Sequence, residues 1–184
     1  GYVEALCGTI DQGGGGHTVI QRVAAAALSV QPSRVRVRYG NTGEARWDSG
    51  PGGSRATTMV GRASLEGGTV LKNKLEDLAA EAMGWPSGKV HLENDHFVVE
   101  GSGERVAFDQ VASKIAASGP TVEVIGAYDP AQDSHDNVGD MNFYAYMVEV
   151  EVDPETGAVT PTEVVTVIDV GTVINPIAHQ GQVD

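Results

Sequence analysis

The sequence predicts an α+β fold, with mixed or antiparallel sheets and helices packed on them. Three observations carry this. In the last third, Tyr146, Val148, Val150 and Val152 alternate with Met147, Glu149 and Glu151, and the run Asp153-Pro154-Glu155-Thr156-Gly157 turns the chain into a second apolar stretch over 159–170. That is the period-two signature of an antiparallel hairpin. Short strand-like runs at 89–92, 97–100 and 105–106 are separated by the turn residues Asn94-Asp95 and Gly101–Gly103. Helical periodicity is confined to three segments that do not alternate regularly with strands, so the pattern argues against a repeated βαβ array.

The elements follow in order. Residues 2–10 are mostly apolar and predict a buried strand. After Gly13–Gly16, the positions Ile20, Val23, Ala24, Ala27 and Leu28 recur at helical spacing, which predicts a helix from His17 to about Ser29. Gln31-Pro32-Ser33 stops it, and 34–39 alternates charged and apolar residues as a half-exposed strand does. Residues 41–53 read as a loop. A second helix begins near Ser54 on Met59, Val60, Ala63, Val70, Leu71, Leu75, Leu78 and Ala79, and ends at Gly84-Trp85-Pro86. Gly67-Gly68 lies inside it at ~1 kcal/mol per glycine relative to alanine, which predicts a close neighbour there. Phe108, Val111, Ala112, Ile115 and Ala116 mark a third helix, closed by Gly119-Pro120. A strand over 121–127 and a polar loop to Asp140 follow, and Asn175-Pro176 breaks the last strand pattern.

With 184 residues, 41% hydrophobic and 20% charged, the chain can bury one core or two small lobes, the second arrangement placing a boundary near 85–120. A net charge of -13 excludes a general nucleic-acid binder, which needs clustered Lys and Arg. No apolar run reaches the ~20 residues of a membrane span, and no basic segment followed by an apolar one marks a signal peptide. The single cysteine, Cys7, forms no internal disulfide and fits a reducing, cytoplasmic setting. A start at Gly1 in strand-like sequence and a stop at Gly-Gln-Val-Asp suggest a piece of something longer.

Two stretches point to chemistry. A helix N-terminus offers unpaired N–H groups and about half a positive charge, and glycines in front of it let a ligand reach the backbone. Gly13–Gly16 before the first helix has that form. So does Gly50-Pro51-Gly52-Gly53-Ser54-Arg55 before the second, where Ser54 adds a hydroxyl and Arg55 a charge. Neither is a P-loop, since no Lys-Ser/Thr follows, and no βαβ unit is predicted after the first. Two such mouths favour an elongated anion over a single phosphate, against the plainer reading of two surface turns.

Other constellations are weaker. Asp133, His135, Asp136 and Asp140 lack EF-hand spacing and read as a solvated loop. His91 and His96 flank a turn without the further ligands that zinc needs. Cys7 reads as a small hydrophobe and Asp48, beside Trp47, as a loop residue. With 25 acidic residues, picking a catalytic carboxylate pair carries no information. The residues alone reach an anion-binding domain and no reaction.

Motif order goes further. GTIDQGGGGHTVIQRVAAAAL resembles the D-x-G-Q-G-x-x-T stretch of the molybdenum hydroxylases (the xanthine dehydrogenase, aldehyde oxidase and carbon monoxide dehydrogenase family). RVRVRYGNTG resembles their strand and G-D/N-T loop, and SGPGGSRATTMVGRA their G-T-G-G-S-R-S-T cofactor loop with a helical Gly after it. VEVEVDPETGAVTPTEVVTVIDVGTVINPIAHQGQVD is similar to their hairpin, D-V-G-x-x-I-N-P and G-Q-x-D/E-G segment. Together they cover nearly the whole chain.

The resemblance implies a fragment of the second molybdopterin-binding region of a large catalytic subunit, with the fold of that domain. The subunit would hydroxylate an aldehyde, N-heterocycle or related small molecule with water as oxygen donor. Its cofactor would be molybdopterin, of which a cytosine dinucleotide is one form, with iron–sulfur and FAD groups on partner domains or subunits. The protein would hold the pterin and phosphates rather than the metal. By position, Gly14, Gly15 and Gly16 would border the pterin; Gly52, Gly53, Ser54, Arg55 and Ala56 would face the molybdenum centre and a phosphate; Gln182 would hydrogen-bond the pterin. The family's catalytic Glu lies in a downstream G-x-G-E that residues 1–184 do not contain, so this stretch alone should be inactive, and its uncovered apolar surfaces should favour self-association. Two departures stand out: Gly14 replaces the usual Gln, and Ala56 a frequent Ser or Thr. They keep open the alternative of a stand-alone, non-catalytic anion- or cofactor-binding domain.

Overall fold

Strands β1 (Val3–Cys7) and β2 (Val35–Tyr39) pair in parallel, from Val3 opposite Val35 to Cys7 opposite Tyr39, and helix α1 (Gly16–Leu28) is the connection between them. The computed structural model describes residues 1–119, 121–132 and 142–183. It corrects two expectations here. A βαβ unit does surround the first glycine run; strands of this length carry too little periodicity to reveal their direction. Nor is β1 buried throughout, because Val3, Ala5 and Cys7 turn inward while Glu4 and Leu6 face solvent.

Helix α2 (Ala56–Met83) runs unbroken through Gly67-Gly68. The predicted close neighbours are there. A Cβ at Gly68 would lie 2.6 Å from the Ala27 Cβ and 3.2 Å from the Ala24 carbonyl oxygen, and one at Gly67 would lie 3.1 Å from the Gly126 Cα. At Gly61 a Cβ would stand 3.7 Å from Val19. Val19 to Ala27 and Gly61 to Gly68 are each about 10–12 Å of helix at 1.5 Å per residue. Contacts that advance together along both chains make α1 and α2 parallel neighbours, with both N-termini at one end. Gly84 (φ 72) ends α2, its own N–H and that of Trp85 returning to the last turn.

Strands β3 (Val90–Glu93), β4 (His96–Val99) and β5 (Arg105–Ala107) form an antiparallel sheet in that order. Asn94 and Asp95, with φ of 46 and 61, make its first turn, as a two-residue hairpin requires. Helix α3 (Phe108–Ser118) buries Phe108, Val111 and Ile115. The core joins Leu28, Val35, Leu75, Ala79, Leu92, Phe97 and Val111, so it grips the C-terminal halves of α1 and α2 and leaves their N-terminal mouths at the margin. The strand expected over 121–127 is absent. Its residues lie along α2 instead, with Gly126 against Ala63 and Gly67 and the Ala127 N–H on the Glu66 carboxylate. Alternating sequence makes a strand only where a sheet edge receives it.

These elements lie in one compact unit, Gly1–Pro130; the other is Ala131–Asp184. In the latter, β6 (Phe143–Val152) and β7 (Val159–Asp169) form the expected hairpin, with a register shift between Glu149 and Val150. Asp153 holds its turn by accepting the Glu155 N–H and the Thr156 hydroxyl. The break at Asn175-Pro176 is a helix start: α4 (Pro176–Val183) has proline at its first position and the Asn175 side chain accepting the Ala178 N–H at 3.3 Å. Asp133, His135, Asp136 and Asp140 lie outside the described residues.

Candidate functional site

Both glycine mouths open at the end of the first unit where β1 and β2 terminate. Parallel strands leave their carboxyl ends and their following loops on one side, which is where open α/β sheets place ligands. His17, in the first turn of α1, stacks on Tyr39, the last residue of β2, at 5.7 Å between ring centroids.

The first mouth satisfies much of its own polarity. Asp11 reaches over it, Oδ1 accepting the N–H groups of Gly13 (3.0 Å) and Gly15 (3.1 Å) and Oδ2 that of His17 (3.3 Å). The loop conformation needs glycine at Gly13 (φ 93) and Gly15 (φ 75), but not at Gly14. Partial desolvation raises the Asp11 pKa; the amides of His17, Gly15 and Gly13 lower it more, and the carboxyl rests below its ordinary 3.8. A carboxylate at a helix start is worth about 0.5–2 kcal/mol as a cap. The amides of Gly14 and Gly16 take no partner among the described residues.

At the second mouth the N-cap residue of α2, Arg55, makes no side-chain cap bond among the described residues. Gly50 (φ 73), Gly53 (φ 59) and Ser54 (φ 59) bend the chain sharply, and the Arg55 guanidinium folds back to donate to the carbonyls of Ser49 and Gly50 at 3.3 and 3.2 Å. Gly52, Gly53, Ser54 and Arg55 are exposed and Ala56 is half-buried.

Thr9 joins the two mouths. It is 3% exposed, and its hydroxyl donates to Asp48 Oδ1 at 2.6 Å; the same oxygen accepts the Gly50 N–H at 2.6 Å. The Thr9 carbonyl accepts from His17 Nε2 at 3.1 Å. Cys7 lies alongside, its thiol raised above the ordinary 9.0 first by burial and further by the Asp48 charge, with the Thr9 backbone opposing, so it stays protonated at neutral pH. Sequence reasoning passed over this cluster. Asp11 carried a signal, an Asp two residues before a glycine run; Thr9 carried none beyond being a polar residue in an apolar stretch.

The predicted residues thus divide. Gly14, Gly15 and Gly16 and the group Gly52, Gly53, Ser54, Arg55 and Ala56 share one end of the first unit. Gln182 lies in α4 of the second, three residues beyond His179, whose Nε2 is buried without a partner among the described residues. Among the described residues no three His, Cys, Asp or Glu side chains gather as metal ligands. What this surface offers a ligand is backbone amides, glycine-bared and open: a Cβ at Gly14, Gly16, Gly52 or Gly53 would meet nothing within 4 Å.

Paired helix mouths thus stand beside the carboxyl ends of parallel strands, the place where an open α/β sheet offers backbone amides to a ligand. The chain belongs to the molybdopterin cofactor-binding domain family, whose model matches residues 1–184. It is 29% identical to the carbon monoxide dehydrogenase large chain of Afipia carboxidovorans and 29% identical to the nicotine 6-hydroxylase large subunit of Paenarthrobacter nicotinovorans, in each case over all of this chain and 23% of the relative. Its fold matches a crystal structure of the Cu,Mo-CO dehydrogenase with a TM-score of 0.79 at 27% identity. It matches quinoline 2-oxidoreductase from Pseudomonas putida 86 at 0.78 and 25%; each match covers 99% of this chain and 23% of the other. The chain spans about a quarter of the length of these relatives. The bare, open backbone at both mouths fits a group rich in hydrogen-bonding acceptor atoms, as phosphate and pterin are.

Proposed function

We propose that residues 1–184 contribute part of the molybdopterin site in a large, cytoplasmic catalytic subunit that hydroxylates an aldehyde, N-heterocycle or related small molecule. The observation that carries this reading is the pair of glycine mouths held side by side on parallel helices. The cofactor, when bound, supplies a molybdenum centre that takes up the substrate's electrons, with water as the oxygen source; a cytosine dinucleotide form, and iron–sulfur and FAD partners as onward acceptors, belong to the same proposal.

The chain's own residues bind and orient. Gly14 and Gly16 present amides that Asp11 leaves unused, and Gly15 keeps the loop in its left-handed bend. Gly52 and Gly53 let a polar group approach the start of α2 without meeting a Cβ, while Ser54 adds a hydroxyl and Arg55 a nearby positive charge. Ala56 supplies only backbone. Gln182 offers an amide able to donate and accept at once. None of these groups moves a proton in the reaction. The general base belongs to another part of the subunit, so residues 1–184 alone are inactive.

Asp11 also favours a second reading, a non-catalytic domain. It occupies three amides that a phosphate would use, and Gly14 lacks the side-chain amide of the family pattern. Molybdenum and pterin analysis separates the two. Both the full-length protein and residues 1–184 are purified from a host that makes the cofactor. Metal and pterin in the full-length protein and neither in the segment support half of a shared site. Neither in the full-length protein refutes the enzyme reading.

A further inference from the structure

We infer that Thr9 and Asp48 are a positioning pair that sets the spacing of the two glycine mouths, and that retention of the cofactor depends on it. This rests on the molybdopterin reading. The stretch between β2 and α2, residues 40–55, belongs to no sheet. Where it passes the end of β1 the two backbones are in contact: a Cβ at Gly8 would sit 2.7 Å from the Arg46 carbonyl oxygen and 3.3 Å from the Asp48 Cβ. The Thr9 hydroxyl to Asp48 bond follows directly, and Asp48 passes the restraint on to Gly50, the first glycine of the second mouth. At its other end Thr9 accepts from His17, inside the first turn of α1. One threonine therefore touches both mouths, through its side chain on one side and its carbonyl on the other.

Burial gives the bond its force. Thr9 is 3% exposed, so leaving its hydroxyl unpaired carries a desolvation cost. Asp48 is exposed, and its one oxygen accepts both the Thr9 hydroxyl and the Gly50 N–H. An elongated ligand that touches both mouths at once needs their separation fixed before it arrives, or it must supply the ordering itself.

The test uses the full-length subunit from a cofactor-making host, with two readouts: molybdenum and pterin per subunit, and hydrogen exchange of the segment 48–55 in protein stripped of cofactor. Thr9→Val keeps shape and removes the hydroxyl. It should lower cofactor occupancy at least ~5-fold and raise exchange about tenfold, the scale of one lost charge-assisted bond. Thr9→Ser restores the hydroxyl and should return both readouts to near wild type. Asp48→Ala, at an exposed position that leaves the core intact, also frees the Gly50 N–H and should cost at least as much as Thr9→Val; the double variant should be no worse than Asp48→Ala alone, since the Thr9–Asp48 bond is already lost in it. Wild-type occupancy and exchange in Thr9→Val, failure of Thr9→Ser to rescue, or additive losses in the double variant overturn the inference. A wild-type subunit without molybdenum or pterin overturns the cofactor reading instead. The exchange arm still decides the pair: faster exchange in Thr9→Val but not in Thr9→Ser upholds it as a latch between the mouths, and equal exchange removes it.

Discussion

Replacing Gly68 with alanine should destabilise the protein although alanine is the better helix former. The added Cβ would lie 2.6 Å from the Ala27 Cβ, about 1 Å inside ordinary carbon–carbon contact, and 3.2 Å from the Ala24 carbonyl oxygen. Neither partner is the tip of a flexible side chain, so α1 and α2 must separate. Alanine gains about 1 kcal/mol of helix propensity; overpacking of this kind costs roughly 1–3 kcal/mol. The net is a loss of about 0–2 kcal/mol. Gly61→Ala provides the control within the same helix pair. Its Cβ meets Val19 at 3.7 Å, ordinary contact, so it should keep the propensity gain and stabilise by about 0.5–1 kcal/mol. Urea denaturation followed by circular dichroism reads both. Equal stabilisation by the two alanines would refute the parallel, close-packed arrangement of α1 and α2, and with it the argument that their mouths share one end.

Further expectations follow from the loops and the hairpin. Asp11→Ala removes the carboxylate that accepts three amides and should cost about 1 kcal/mol, visible as earlier loss of helix in a thermal melt. Because the folded Asp11 pKa lies below its ordinary 3.8, its contribution is complete above that value and is lost as pH falls through the folded pKa; wild type and Asp11→Ala should therefore converge in stability in acid and diverge again above pH 4. Gly14→Gln should fold normally, since Gly14 does not sit at positive φ and a Cβ there meets nothing, and should raise pterin retention in the full-length protein; unchanged retention would detach this position from the cofactor. Residues 1–184 alone should self-associate through the hairpin, where Phe143, Tyr146, Met147 and Val167 are each more than 60% exposed; Met147→Lys with Val167→Lys should shift the sedimentation profile toward monomer.

Legibility followed the strength of local signals. The hairpin was readable because β6 and β7 are long and their alternation and turn residues agree. Helices α1 to α3 were readable because periodicity, capping glycines and prolines coincide, and Gly67-Gly68 announced a packing contact by its cost. The parallel pairing of β1 with β2 was not, since direction is a property of tertiary arrangement and five-residue strands do not record it. The segment over 121–127 looked like a strand and lies along α2, pairing with no strand among the described residues. The short helix α4 was hidden behind Asn175-Pro176, which reads equally as a stop or as a cap followed by a first-turn proline. At the site, glycines and motif order marked the two mouths. Thr9 and Asp48, which tie them, are ordinary residues whose pairing spans 39 positions and leaves no pattern in a single sequence.

The two mouths share an end but differ in charge. Parallel helices place their positive ends side by side, an arrangement that is unfavourable unless negative charge lies nearby. At α1 the protein supplies that charge itself through Asp11, and the loop is organised without a ligand. At α2 the N-cap residue, Arg55, makes no side-chain cap bond among the described residues; bound to the carbonyls behind the loop, it adds positive charge beside the helix start. Negative charge on a cofactor is therefore better compensated at α2, beside Arg55, than at α1, where it would meet the Asp11 carboxylate. On the proposed reading, phosphate belongs with Gly52–Arg55 and the less charged pterin with Gly14–Gly16, an assignment that charge balance reaches independently of motif order.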